Sequence, residues 1–201
     1  SRKHRYGVFI RLTLATGLRI GEVCGLRWDD IDLSGGVLYV RRSLGRLSKM
    51  EDNPVGNRTE LALSDVKSEN SRRSIPLLRG ICADLEAWRN VQRRDIERIG
   101  ADVFAHPEMV LTNEFGGLIE PRTLSDYYHA ILKAADLPHF TFHALRHTFA
   151  TRALEQGMDA KTLSTLLGHY SVAFTLDTYT HVLDDQKRSE MSLLEALFSN
   201  L

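Results

Sequence analysis

Apolar side chains recur at three- and four-residue spacings along most of the chain, and few segments break that rhythm. Over residues 6–16, Val8, Phe9, Leu12 and Ala15 fall on one side of a helix that Gly17 closes, and residues 21–26 read as a second short helix. A β-rich stretch follows. Residues 36–43 (GVLYVRRS), 61–64 and 73–77 predict a small antiparallel sheet with a turn at residues 68–71, and Pro76 puts the last strand at an edge or an end. Beyond Leu77 the helical period returns: Ile81, Leu85, Trp88, Val91 and Ile96 define a helix over residues 79–99, and Pro121 opens another that runs to Ala135. Further helices fit residues 144–156, 160–167 and 172–181, and a last one, Gln186 to Ser199, carries an apolar stripe of Met191, Leu194, Leu197 and Phe198. The pattern predicts an α+β fold, mostly helical with a small antiparallel β-sheet, and by itself assigns no function.

Composition bounds the picture. The 201 residues are 43% hydrophobic and 26% charged, as expected of a globular chain that buries a core. No Pro/Gly/Ser-rich run divides it, and the loop at residues 51–57 is too short to be a linker, so one domain over residues 1–201 is expected. No stretch approaches the roughly 20 apolar residues of a membrane helix, and the start SRKHRYG lacks the apolar core of a secretory signal, so an intracellular, cytoplasmic protein is expected. Cys24 and Cys82 sit in apolar helical patterns and read as buried thiols. The 26 basic and 26 acidic residues cancel, which argues against a uniformly basic nucleic-acid-binding surface. They are not mixed evenly, however. Basic residues bunch in 1–27, 41–46 and 72–79 and acids in 29–32, 95–102 and 184–195, so a basic face and an acidic back are expected.

Four segments carry candidate chemistry: ATGLRIGEVCGLRWDDID from Ala15, VKSENSRRSIPL from Val66, HALRHTFATRAL from His143 and LLGHYSVAFTLDTYTHV from Leu166. Together, in this order, they resemble the tyrosine recombinase or phage integrase family, over residues 15–182. The resemblance implies that family's catalytic-domain fold, with catalytic positions at Arg19, Lys67, His143, Arg146, His169 and Tyr179, and with Glu22 orienting the site. It implies site-specific recombination of double-stranded DNA through a 3′-phosphotyrosyl intermediate, in integration or excision of a bacterial mobile element or phage. No metal and no cofactor are implied. The expected partners are DNA recombination sites and further copies of the chain, a tetramer on DNA, joined through Gln186 to Ser199; the expected location is the bacterial cytoplasm, on the nucleoid when acting. Because the family adds N-terminal DNA-binding domains, the chain is expected to be the C-terminal, catalytic part of a longer recombinase.

The residue types suit that chemistry. Attack on a phosphodiester gathers negative charge on nonbridging oxygens, which two permanently charged guanidiniums can grip. A phenol with a pKa of about 10 needs cationic neighbours and a base, for which His143 is the candidate, with His169 donating to the phosphate. The leaving 5′-oxygen needs a proton, which Lys67 can supply. Rival readings exist for each residue. A lone arginine is usually salt-bridged at a surface. His139, His143 and His147 at four-residue spacing invite a zinc reading, although no carboxylate or cysteine completes the set, and His147 reads as a structural hydrogen-bonding residue. Arg72 and Arg73 compete with Lys67, and Tyr170 competes with Tyr179, whose ten-residue distance from His169 favours it. A noncatalytic DNA-binding module and a type IB topoisomerase-like relaxing enzyme are the alternative functions.

Overall fold

The structure, a computed structural model, describes residues 5–48, 59–66, 71–180 and residue 191. Helix α1 (Gly7–Thr16) buries Phe9, Leu12, Thr13 and Thr16, so its inner face is turned toward the threonine side of the expected stripe. Burial of those threonines is tolerated because Thr13 and Thr16 donate their hydroxyls to the carbonyls of Phe9 and Leu12, both at 2.7 Å. A short helix α2 (Ile20–Cys24) and a single 3-10 turn (Trp28–Asp30) lead into the strands β1 (Ile31–Asp32), β2 (Val37–Val40), β3 (Arg42–Ser48), β4 (Thr59–Asp65) and β5 (Arg73–Pro76). The helices α3 (Arg79–Ile99), α4 (Pro121–Ala134), α5 (His143–Glu155), α6 (Ala160–Leu167) and α7 (Val172–Thr178) complete the described chain.

Two antiparallel sheets stand where the periodicity predicts one. Strands order β1-β2-β5 in the first, with Val37 opposite Pro76 and Val40 opposite Arg73, while β3 and β4 pair alone from Arg42–Asp65 to Ser48–Thr59. The run GVLYVRRS therefore breaks at Arg41. The guanidiniums of Arg41 and Arg42 both reach the carboxylate of Asp30, at 3.2 and 2.7 Å, and Asp30 is buried beside them. Two adjacent residues turned toward one buried anion cannot keep the alternation of a single flat strand, and the chain changes partner there. Pro76 ends β5, an edge strand, as its missing N–H requires.

One core joins α1, α3, α4 and α5 to the three-stranded sheet through Phe9, Leu12, Leu38, Leu85, Trp88, Leu124 and Leu145, each worth about 1.5–3 kcal/mol of transfer free energy. The stripe of α3 turns polar after Trp88. There Gln92 accepts from the Trp28 indole at 2.7 Å and donates to the Met109 carbonyl and the Thr112 hydroxyl, both at 2.9 Å, and Asp95 pairs with Arg5. A second, smaller cluster of Ala150, Leu154, Leu163, Leu167 and Tyr179 ties α5 and α6 to the residue that follows α7. That burial explains why α7 stops at Thr178, short of the expected end: Tyr179 turns its ring inward. Cys24 is fully buried, its thiol pushed up to about 12 by burial, whereas Cys82 is half-exposed, and both are free. No described helix is long and apolar enough to cross a membrane. The expected loop at residues 51–57 lies outside the described residues. So do the turn at 68–71 apart from Ser71 and the helix Gln186 to Ser199 apart from Met191.

Candidate active site

Two helices end in left-handed glycines, Gly17 after α1 (φ 66°) and Gly168 after α6 (φ 65°), and both turn a carbonyl toward an arginine. A Cβ on Gly17 would stand 2.6 Å from both Leu167 and Phe149, so only glycine lets the end of α1 come this close to α5 and α6. Arg146, on the first turn of α5, donates to the Gly17 carbonyl at 2.7 Å and to the Leu167 carbonyl at 2.8 Å. Arg19, the residue that caps α2, donates to the Gly168 carbonyl at 3.0 Å. Arg73 on β5 donates its Nε–H to the Leu166 carbonyl at 2.6 Å. Three successive carbonyls at the C-terminus of α6 thus each hold a different guanidinium. A helix C-terminus carries partial negative charge and unpaired carbonyls, which is why cations collect there.

Glu22 is the carboxylate that two of these arginines, Arg19 and Arg73, share. Its oxygens accept from the Arg19 side chain at 2.9 Å and the Arg19 backbone N–H at 2.8 Å, and from the two terminal nitrogens of Arg73 at 3.0 and 2.8 Å. Burial would raise the Glu22 carboxyl, but the bonds from Arg73 and then Arg19 outweigh it and hold the group below the usual carboxylate range. Glu22 and Arg73 are 3% exposed at their side chains, whereas Arg19 is 40% exposed, so the outer guanidinium is the one that meets solvent. Burial, reinforced by Arg19, pulls Arg146 down to about 9, which leaves it charged at neutral pH. Arg19 and Arg146 each commit two side-chain N–H groups to these bonds, out of the five a guanidinium carries.

The histidines are electrically tied to this cluster. Burial and the charges of Arg146, Arg19 and Arg73 bring His169 down to about 4, so its imidazole is neutral at physiological pH; its Nδ1 sits 2.7 Å from the Thr175 hydroxyl. His143 is lowered as well, by burial and then by His147, Arg146 and Arg19. Tyr179 is 3% exposed, its phenol raised by burial and partly offset by Arg146. Its hydroxyl lies 3.1 Å from Nδ1 of His147, whose ring meets that of His143 edge-on at 4.7 Å. An open cleft of about 330 Å³, lined by Arg72, Arg73, Lys161, Thr165, His169 and Tyr170 among others, adjoins the cluster.

The model of the phage integrase family matches residues 1–186 of the chain. The chain belongs to that family. It is similar to a tyrosine recombinase XerC-like protein of Caldanaerobacter subterraneus subsp. tengcongensis, 36% identical over 198 residues that cover 97% of this chain and 50% of the relative. The transposase from transposon Tn916 of Enterococcus faecalis is 28% identical over 92% of this chain and 44% of its own length. Among solved structures, the Tn1549 transposon integrase in complex with transposon right end DNA superposes with a TM-score of 0.74 at 26% identity, over 96% of this chain and 59% of the other. The chain spans about half the length of the curated relatives it matches.

Of the positions that the family resemblance marks, Arg19, Glu22, Arg146 and His169 come together around the end of α6, and His143 lies within the same electrostatic cluster. Tyr179 is linked to it through His147, not by a direct bond to His143. Arg146 is itself buried rather than lying beside the buried stripe of α5. His139 precedes α5, as expected, and lies against His129 with ring centroids 4.2 Å apart and the rings tilted by 36°. Lys67 lies outside the described residues. Sequence reasoning weighed Arg73 only as a competitor of Lys67 and did not place it beside Glu22. The signal for Arg73 is the inward alternation of β5, in which Arg73 and Ile75 are buried and Ser74 and Pro76 exposed.

Proposed function

We propose that this chain is the catalytic part of a longer tyrosine-type site-specific recombinase that cuts and rejoins double-stranded DNA. The observation that carries this reading is the ring of three guanidiniums on consecutive carbonyls at the end of α6, two of them sharing Glu22, beside a neutral histidine and a buried tyrosine. Such excess positive charge with unused N–H groups suits a phosphodiester whose nonbridging oxygens gain charge as a fifth bond forms. The oxygen of Tyr179 attacks phosphorus while a base takes the phenolic proton, His143 in this reading, and the P–O5′ bond breaks. Lys67 protonates the leaving 5′-oxygen, leaving a 3′-phosphotyrosyl link and a 5′-hydroxyl. Arg19 and Arg146 hold the nonbridging oxygens, and His169 donates to one of them, a task its neutral ring performs with the nitrogen that Thr175 does not engage. Attack by a 5′-hydroxyl of another strand reverses the steps, so the phosphoester is conserved without an added energy source.

The buried position of Tyr179 describes a resting arrangement: attack requires its hydroxyl to leave His147 and approach the arginines. In the same reading the enzyme integrates and excises a mobile element in the bacterial cytoplasm. It assembles as a tetramer on its recombination sites through Gln186 to Ser199, and sedimentation of a chain ending near Asp185 on DNA would then give smaller complexes than the whole chain. The chemistry is tested by denaturing gels of the protein incubated, without added metal, with nicked suicide duplexes carrying candidate recombination sequences. A DNA-shifted protein band that vanishes in Tyr179→Phe is the expected result. A band that persists in the variant overturns Tyr179, and DNA binding without any band on a duplex known to contain the site favours a noncatalytic binding module.

A further inference from the structure

Arg73 is a charged residue placed where burial is costly, and no step of the reaction above touches it. Its side chain is 3% exposed, and every guanidinium nitrogen is hydrogen-bonded: both terminal nitrogens on Glu22, Nε–H on the Leu166 carbonyl and one terminal nitrogen also on the Ser71 carbonyl at 3.2 Å. A buried ion pair is weak evidence for stability, because desolvation offsets most of the attraction, so its retention asks for another reason. The bonding pattern offers one. Each oxygen of Glu22 accepts once from Arg73 and once from Arg19, so the carboxylate stands between an inner guanidinium and an outer one.

Consider Glu22 with Arg19 as the one cation bonded to it. The carboxylate charge would fall entirely on Arg19, drawing the exposed guanidinium inward and cancelling the charge available to a phosphate. With Arg73 bound bidentately behind it, Glu22 is neutralised from the buried side, held by a planar fork and left to orient Arg19 without consuming its charge. The same Arg73 clamps Leu166, next to the Leu167 and Gly168 carbonyls that hold Arg146 and Arg19, and it follows Lys67 by six residues in sequence.

We propose that Arg73 is a positioning residue of the recombination reaction: from behind Glu22 it supplies the countercharge that leaves the outer guanidinium of Arg19 free for the scissile phosphate. The inference rests on the function proposed above. Charged groups facing Glu22 come from each neighbouring element, Arg19 from the start of α2, Arg73 from β5 and Arg146 from α5, and all are cations, so loss of Arg73 removes two of the bonds that keep the carboxyl ionised.

The test is the single-turnover rate of covalent trapping on a suicide duplex, with DNA affinity and thermal unfolding measured alongside. Trapping by the wild type must be seen first; its absence defeats the proposed function, not this inference. Arg73→Met is expected to slow trapping by about 100-fold or more, the usual loss when one oriented electrostatic element is removed, with DNA affinity changed by far less. Its deficit against the wild type is expected to narrow at acid pH, as Glu22 takes up a proton and no longer draws on the charge of Arg19. The decisive comparison uses Glu22→Gln as background, where no carboxylate needs a countercharge and a neutral pair is compatible with folding. There the added Arg73→Met is expected to cost only a few-fold. A 100-fold loss in that background, or a single Arg73→Met that traps like the wild type, overturns the proposal.

Discussion

His169 illustrates how far a local field moves a single residue. Buried among Arg146, Arg19 and Arg73, it falls from an ordinary value of 6.5 to about 4, and His143 is displaced in the same direction. A histidine depressed in the folded state binds fewer protons there than when unfolded, so it costs the fold stability as pH drops. The loss begins near 6.5, where the unfolded imidazole starts to protonate, and continues down to about 4, where the folded one does. His169→Asn is therefore expected to flatten the fall of Tm with acidification across that window. Equal slopes for variant and wild type in thermal melts would contradict the assignment. Arg19, Glu22, Arg146 and His169 were legible because each belongs to a short motif with an ordered place in a family. Arg73 was not, because an arginine beside a hairpin looks solvated until its inward partner Ile75 is noticed and Glu22 is found opposite.

Helices proved more legible than strands. The periods of α3 and α6 gave their observed limits, Arg79–Ile99 and Ala160–Leu167, since burial on one face is a property that sequence records locally. The break at Arg41 was not readable, because it depends on Asp30, eleven residues earlier, and on two different distant partners for β2 and β3. The joints between helices matter more for the site than the helices themselves. Gly17→Ala forces a side chain into a left-handed position and against Leu167 and Phe149 at 2.6 Å. A loss of at least about 1–2 kcal/mol is expected from the backbone alone, measured by chemical denaturation. Because the Gly17 carbonyl also anchors Arg146, trapping should fall by more than the unfolded fraction accounts for. A variant as stable as the wild type would refute the close approach of α1 to α5 and α6.

Over the whole molecule, net charge misleads. The chain sums to zero, yet three guanidiniums converge at the end of α6 while acids elsewhere serve internal pairs, Asp30 with Arg41 and Arg42 and Asp95 with Arg5. Binding to DNA is accordingly expected to weaken with salt, log K falling by about 0.9 for each contacted phosphate per unit of log salt, as for a protein of basic pI. A salt-independent affinity in fluorescence anisotropy would count against a phosphate grip.

The most direct test is to map the residue that carries DNA. After trapping on a suicide duplex, nuclease digestion and proteolysis, mass spectrometry is expected to find the nucleotide adduct on Tyr179, in wild-type protein only, and as a phosphotyrosyl ester at a 3′ end. An adduct on Tyr170, or on a serine or histidine, or a 5′ rather than 3′ linkage, would contradict the account.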